Sequence, residues 1–204
     1  LLRPTAPLVS AALIRADDSA QELYWRARQL LQPRRAEATR QAIGLLEQAL
    51  AIDPQFGLAS CSLAIAWRNS AMSDDVDLQA SIARAQAALA RALEIDPALM
   101  CAHLGMAYLL TLQWRAPLAQ APIARALQLD PDNVDALSLA ANLLVYQGRP
   151  REALAMLERV QALDPLSPAP KFMRWYELVH LGRGDEALAN LRSGIAGFPP
   201  QRSL

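Results

Sequence analysis

Two thiols, two imidazoles and a short acidic run are the groups in this sequence that could do chemistry. Cys61 and Cys101 stand in no C-x-x-C spacing and beside no second ligand at metal-binding distance, and two cysteines make no disulfide framework. His103 and His180 lie far apart in the chain, without a His-x-x-x-His or cysteine partner. His103 therefore reads as a hydrogen-bonded, half-buried side chain rather than a ligand. Asp74, Asp75 and Asp77 could begin a cation loop, but a solvated connection that caps the following helix is the better reading. Gly182-Arg183-Gly184 follows no strand, so it reads as a turn and not as a phosphate loop. No serine, cysteine or lysine can be matched with a base and an orienting group. Neither catalysis, a metal nor a cofactor is expected.

The elements that carry these groups follow from composition. The 204 residues suffice for one well-buried domain and also permit two. Hydrophobic residues make up 53% and aromatics 5%, with Ala and Leu dominating, which favours packed helices over sheet. Formal net charge is zero, so no overall field draws the chain to nucleic acid or to an anionic membrane. Lys171 is the only lysine among 20 basic residues, a sign of a GC-rich bacterial genome. No apolar run approaches the ~18 residues of a membrane span, and the first residues lack the features of a secretory signal. The chain opens on Leu1 rather than Met, as a piece of a longer protein would.

One period organises the chain. Helical stretches end in Ile-Asp-Pro or Leu-Asp-Pro at Pro54, Pro97, Pro131 and Pro165, with a variant at Pro199. The last three intervals are equal, at the ~34 residues of a helix–turn–helix repeat, and the first is longer. Upstream of each proline an apolar stripe recurs at helical spacing: Ala42, Leu46, Ala49 and Leu50; then Ala85, Leu89, Ala92 and Leu93; then Ala119, Ile123, Ala126 and Leu127; then Ala153, Leu157, Val160 and Leu163. Proline ends each run because it lacks an N–H and pushes its predecessor out of α geometry. A first helix precedes each stripe, marked by Leu63, Ala64 and Trp67, by Met106, Ala107 and Leu110, and by Ala140, Ala141 and Leu144. Gly148 and Gly182 fall one full period apart between paired helices, where a left-handed residue closes a helix. Ser167-Pro168 reads as the N-cap and first turn of the last pair.

Period, small residues and terminal proline together resemble the tetratricopeptide repeat over roughly residues 19–199. The resemblance implies an all-α, right-handed superhelical solenoid of about five helix pairs. Its units fall at 20–56, 57–99, 100–133, 134–167 and 168–199, after an ordered leader (1–18) that packs on the solenoid and before a tail (200–204). The pattern departs from the family at Pro33-Arg34-Arg35, at an insertion around Ser70–Leu78, and at Trp175, where a small residue is usual. No polar capping helix is evident after Pro199, and such an uncapped end offers a surface for self-association.

First helices line the concave side of such a solenoid. The resemblance places Tyr24 and Arg28 there from the first unit, with Leu58, Ile65 and Arg68 from the second. Leu104 and Tyr108 come from the third, Asn142 and Tyr146 from the fourth, and Phe172 and Tyr176 from the fifth. This implies a groove for a protein or peptide segment with apolar or aromatic anchors, with no nucleic-acid or membrane contact. Cys61 and Cys101 fall on the same side, on first helices of adjacent units. Packed helix axes lie ~8–10 Å apart, so two free thiols are expected.

A narrower resemblance is carried by Glu22 to Leu31 and Ala42 to Pro54, with Trp114-Arg115 read as opening the third unit's second helix. These segments look like the repeat region of bacterial winged-helix transcriptional regulators of the ToxR/OmpR type. That implies a regulatory or sensory interaction module, cytoplasmic, or periplasmic as part of a membrane-anchored regulator. The alternatives are a small-ligand sensor using the apolar groove and, further off, an enzyme using Asp135, His180 or the acidic loop.

Overall fold

In the computed structural model, residues 16–31, 35–71, 77–165, 174–175, 178–179 and 181–196 are described. Among them there are nine α-helices, one 3₁₀ turn and no strand. The chain divides into two compact units, Leu1–Leu109 and Leu110–Leu204. The leader through residue 15, Pro33, Arg34, Asp74, Asp75, Ser167, Pro168 and Pro199 lie outside the described residues, so the expectations for them do too.

The first unit holds α1 (Asp18–Leu31), α2 (Ala36–Ile52), α3 (Gly57–Ser70), α4 (Leu78–Ile95) and the start of α5 (Met100–Leu112). Each of α1 to α3 packs on the next helix, and α1 also touches α3. The expected stripes point inward, with Ala42, Leu46, Ala49, Ala85, Leu89 and Ala92 all buried. Helix α3 is the most enclosed, every residue from Gly57 to Ser62 being buried. Alanine and glycine let neighbouring helices approach. A Cβ built on Gly105 of α5 would lie 2.6 Å from a methyl of the buried Leu89 on α4.

The second unit holds a 3₁₀ turn (Ala116–Ala119), α6 (Gln120–Leu129), α7 (Val134–Tyr146), α8 (Pro150–Leu163) and α9 (Gly184–Ala196). Helix α7 packs on the 3₁₀ turn, α6 and α8. Ala141, Ala153 and Leu157 form one core cluster there. Leu154, Leu178 and Ala187 form another, and Trp175 packs against it. Leu163, read from the sequence as part of its stripe, is instead 43% exposed. It is the last residue of α8, where the helix face runs out.

The Asp-Pro signals make one repeated turn. Asp53, Asp96, Asp130 and Asp164 follow their helices with non-helical backbone, each donating its N–H to the carbonyl four residues back. Carboxylate oxygens of Asp53, Asp96 and Asp130 accept from the N–H two residues on, at 2.9, 2.8 and 3.2 Å. Their carbonyls accept from Phe56, Leu99 and Asn133, closing a four-residue turn. Asn133 then caps α7 through Ala136 N–H, and Asp77 caps α4 through the N–H groups of Gln79 and Ala80. Asp77 thus plays the capping part read for the inserted connection.

Within helix pairs, Gly148 (φ 72°) and Gly182 (φ 71°) are left-handed. Trp114 (φ 59°) adopts the same conformation one repeat before Gly148. At all three places the left-handed residue donates to the carbonyl three back and its successor to the carbonyl five back, the Schellman pattern. Trp114 therefore closes α5 rather than opening a helix, and Arg115 is the N-cap of the 3₁₀ turn that leads directly into α6.

Candidate binding surface

The first-helix face of the first unit is built by α3 and α5. Cys61, Ile65 and Arg68 recur at four and three residues along α3, and Cys101 and Tyr108 at seven along α5, so each set forms one stripe. Two rungs join the stripes in the same register. Cys61 and Cys101 form a disulfide, with Cα atoms 6.1 Å apart. Two turns further along each helix, the Arg68 guanidinium carbon lies 5.2 Å from the centre of the Tyr108 ring, a cation–π contact. Arg68 also donates to Asn69 Oδ1 at 3.2 Å. Two turns of helix set the rungs about 10.5 Å apart, with Ile65 half-buried between them.

The disulfide corrects the expectation of two free thiols. That expectation compared the Cα distance a disulfide needs, about 4.4–6.8 Å, with the separation of helix axes. Cα atoms stand about 2.3 Å off their axis, so two residues on facing stripes lie several ångströms closer than the axes do. The matched i, i+7 placement of Cys61–Arg68 and Cys101–Tyr108 is the sequence signal for this register.

Other expected groove residues separate into classes. Tyr24 is 3% exposed and packs its ring 5.1 Å from that of Phe56, so it belongs to the core. Leu58 and Leu104 are likewise buried. These three are corrected from groove lining to core, because neighbouring helices cover the positions. Arg28 is exposed on α1, and Ile65, Arg68 and Tyr108 remain partly accessible. In the second unit, Asn142 is half-buried and Tyr146 is 58% exposed in the last turn of α7. Phe172, Tyr176 and His180 lie outside the described residues. His103 is half-buried, and its Nε2 lies 2.9 Å from the Pro97 carbonyl oxygen.

Charge elsewhere is arranged at helix starts. Arg149 and Glu152 open α8 as a two-pronged pair, with both contacts at 2.7 Å. Arg183 and Glu186 repeat it one period on. The guanidinium hydrogen bonds hold the Glu152 and Glu186 carboxyls below the usual carboxylate range and push Arg149 and Arg183 up. Among the described residues no three His, Cys, Asp or Glu gather as a metal site, and no helix is long and apolar enough to cross a membrane.

The tetratricopeptide repeat family matches over residues 115–171. A thermophilic TPR protein of Thermus thermophilus is similar in structure, with a TM-score of 0.69 at 22% identity, covering 83% of this chain and 87% of that one. PilF of Pseudomonas aeruginosa is similar with a TM-score of 0.72 at 19% identity, covering 91% of this chain and 79% of that one. YrrB, described as a TPR protein with an unusual peptide-binding site, is similar with a TM-score of 0.56 at 16% identity, covering 95% and 94%. No curated protein matches the sequence.

Proposed function

We propose that this chain, which matches the tetratricopeptide repeat family over residues 115–171 and shares the fold of solved TPR proteins, is a protein-interaction module that binds a peptide or protein segment on its first-helix faces. The observation that carries the reading is the Arg68–Tyr108 pair beside Ile65 on α3 and α5. Tyrosine and arginine are frequent interface anchors, since each joins a large apolar surface to a directed polar group. A partner with an apolar or aromatic anchor would cover Ile65 and Tyr108, and its acidic groups would meet Arg68 and Arg28. The peptide-binding site of YrrB, a similar structure, supports the same class of partner. In the second unit Asn142 and Tyr146 are the corresponding candidates.

A finer reading makes the module the regulatory or sensory part of a bacterial transcriptional regulator. It rests on the resemblance of Glu22 to Leu31 and Ala42 to Pro54. Of the two compartments that reading allows, the Cys61–Cys101 disulfide favours the periplasm, because thiols stay reduced in the cytosol. Selection from a displayed peptide library, followed by titration of the selected peptides, tests the interaction role. Tyr108→Ala should weaken them at least fivefold, about 1 kcal/mol, with unchanged helical content. Unaltered affinity in the folded variant would remove this face from the proposal.

A further inference from the structure

The disulfide stands on the face described above, and it is one contact among many that seat α3 and α5. Ala102 and Leu109 of α5 belong to the same buried cluster as Ala59 and Ala64 of α3 and Leu89 of α4. Leu89 also meets the backbone of α5 at Gly105, the close approach noted for the fold. Packing therefore places the helices, and the Cys61–Cys101 bond adds a fixed spacing to the stripes they present.

The two half-cystines differ in access. Cys61 is 3% exposed, whereas Cys101, in the first turn of α5, keeps part of its surface open to solvent. A thiol reagent thus reaches the bond at Cys101. The second rung depends on the first. Two unbonded sulfurs must part to van der Waals contact, roughly 1 Å or more beyond a covalent bond. A rigid α5 carries that displacement along to Tyr108, whose ring centre already lies 5.2 Å from the Arg68 guanidinium carbon. Cation–π attraction reaches only to about 6 Å, so the stack sits within one such step of its limit.

We propose that the Cys61–Cys101 disulfide is an exchangeable latch on this face, opened at Cys101 by a dithiol reductant, and that the reduced face holds its partner more weakly. A thiolate of the reductant attacks the Cys101 sulfur and forms a mixed disulfide. The Cys61–Cys101 bond breaks, and its electron pair leaves on Cys61, which takes a proton from water. The reductant's second thiolate then closes the reductant's own disulfide and releases Cys101, which is protonated in turn. Two electrons have passed to the protein. The closed latch holds Ile65, Arg68 and Tyr108 in one arrangement before a partner arrives, and such preorganisation lowers the cost of binding. The effect on a partner rests on the interaction role proposed above; the opening of the latch does not.

Three measurements on the intact protein test this. Reduction by dithiothreitol, followed by alkylation and mass spectrometry, should be first order in reductant and unchanged by urea below the unfolding transition, with helical content kept. Glutathione should be trapped on Cys101. A rate that rises with urea, glutathione on Cys61, or loss of the helices on reduction would overturn the proposal, since the bond would then be a staple opened only by unfolding. With fluorotyrosine incorporated, the Tyr108 resonance, assigned by Tyr108→Phe, should move on reduction to its position in Arg68→Gln, and back on reoxidation. An unmoved resonance would overturn the proposal whether or not a peptide binds. A displayed-library peptide whose binding Tyr108→Ala weakens should bind the reduced protein at least fivefold more weakly than the oxidised one. Cys61→Ala/Cys101→Ala should match the reduced protein with or without dithiothreitol. Equal affinity in both redox states would overturn the latch and leave the interaction role standing, while a face that takes no peptide would remove that role and leave the first two measurements to decide the latch.

Discussion

Replacing Trp114 by glycine and, separately, by alanine isolates the energy of one backbone conformation. Trp114 has φ 59° where Gly148 and Gly182 have 72° and 71°. An L-residue in that region brings its Cβ against the following carbonyl oxygen at about 1–2 kcal/mol, which glycine avoids. Glycine's greater freedom in the unfolded chain offsets about 0.4–1 kcal/mol of that. The indole is 84% exposed, so both replacements remove the same small buried area. Trp114→Gly should thus be more stable than Trp114→Ala by about 1 kcal/mol, or about 2–4 °C in Tm for a chain of this size. Gly148→Ala supplies the reverse measurement. A Cβ there meets nothing within 4 Å, so its loss of about 1 kcal/mol would be backbone strain without a clash. Urea and thermal unfolding followed by circular dichroism read all three, and helix repeats require the midpoints of both units to be resolved. If the glycine and alanine variants at position 114 unfold together, the left-handed closure of α5 is wrong.

Two further outcomes are expected. Reducing the Cys61–Cys101 disulfide, which spans 40 residues, should lower stability by roughly 4 kcal/mol on the loop-entropy estimate; thiol titration of the unfolded, unreduced monomer should find none, and two free thiols would refute the pairing. The folded-state values of Glu152 and Glu186 are depressed by their arginines, so their contribution is present above the unfolded value near pH 4.3 and is lost as pH falls through the folded value. Denaturant midpoints at low salt should fall less steeply between about pH 5 and 3 in Arg149→Gln/Arg183→Gln than in the parent, and salt at about 1 M should erase the difference; identical slopes would show that the pairs do not couple to folding.

Much of the fold was legible because its signals are local. Aspartate before proline dictates an extended residue and a turn, and the same hydrogen bonds recur after α2, α4 and α6. Glycine spacing pointed to the left-handed closures at Gly148 and Gly182 from residue type alone. Trp114 shares their geometry without their chemistry, so only the register of the repeat could have revealed it.

The binding face was legible only in part. Tyr24 and Tyr146 were read alike from their positions, yet one is buried against Phe56 and the other is largely exposed. Sequence periodicity fixes which side of a helix a residue occupies, since neighbours three and four apart share a face. It does not fix what covers that side, or how near the next helix comes. The Cys61–Cys101 bond and the Arg68–Tyr108 stack each join groups 40 residues apart in sequence. Their separation is set by the small side chains between helices, so those contacts exist only once the helices have packed.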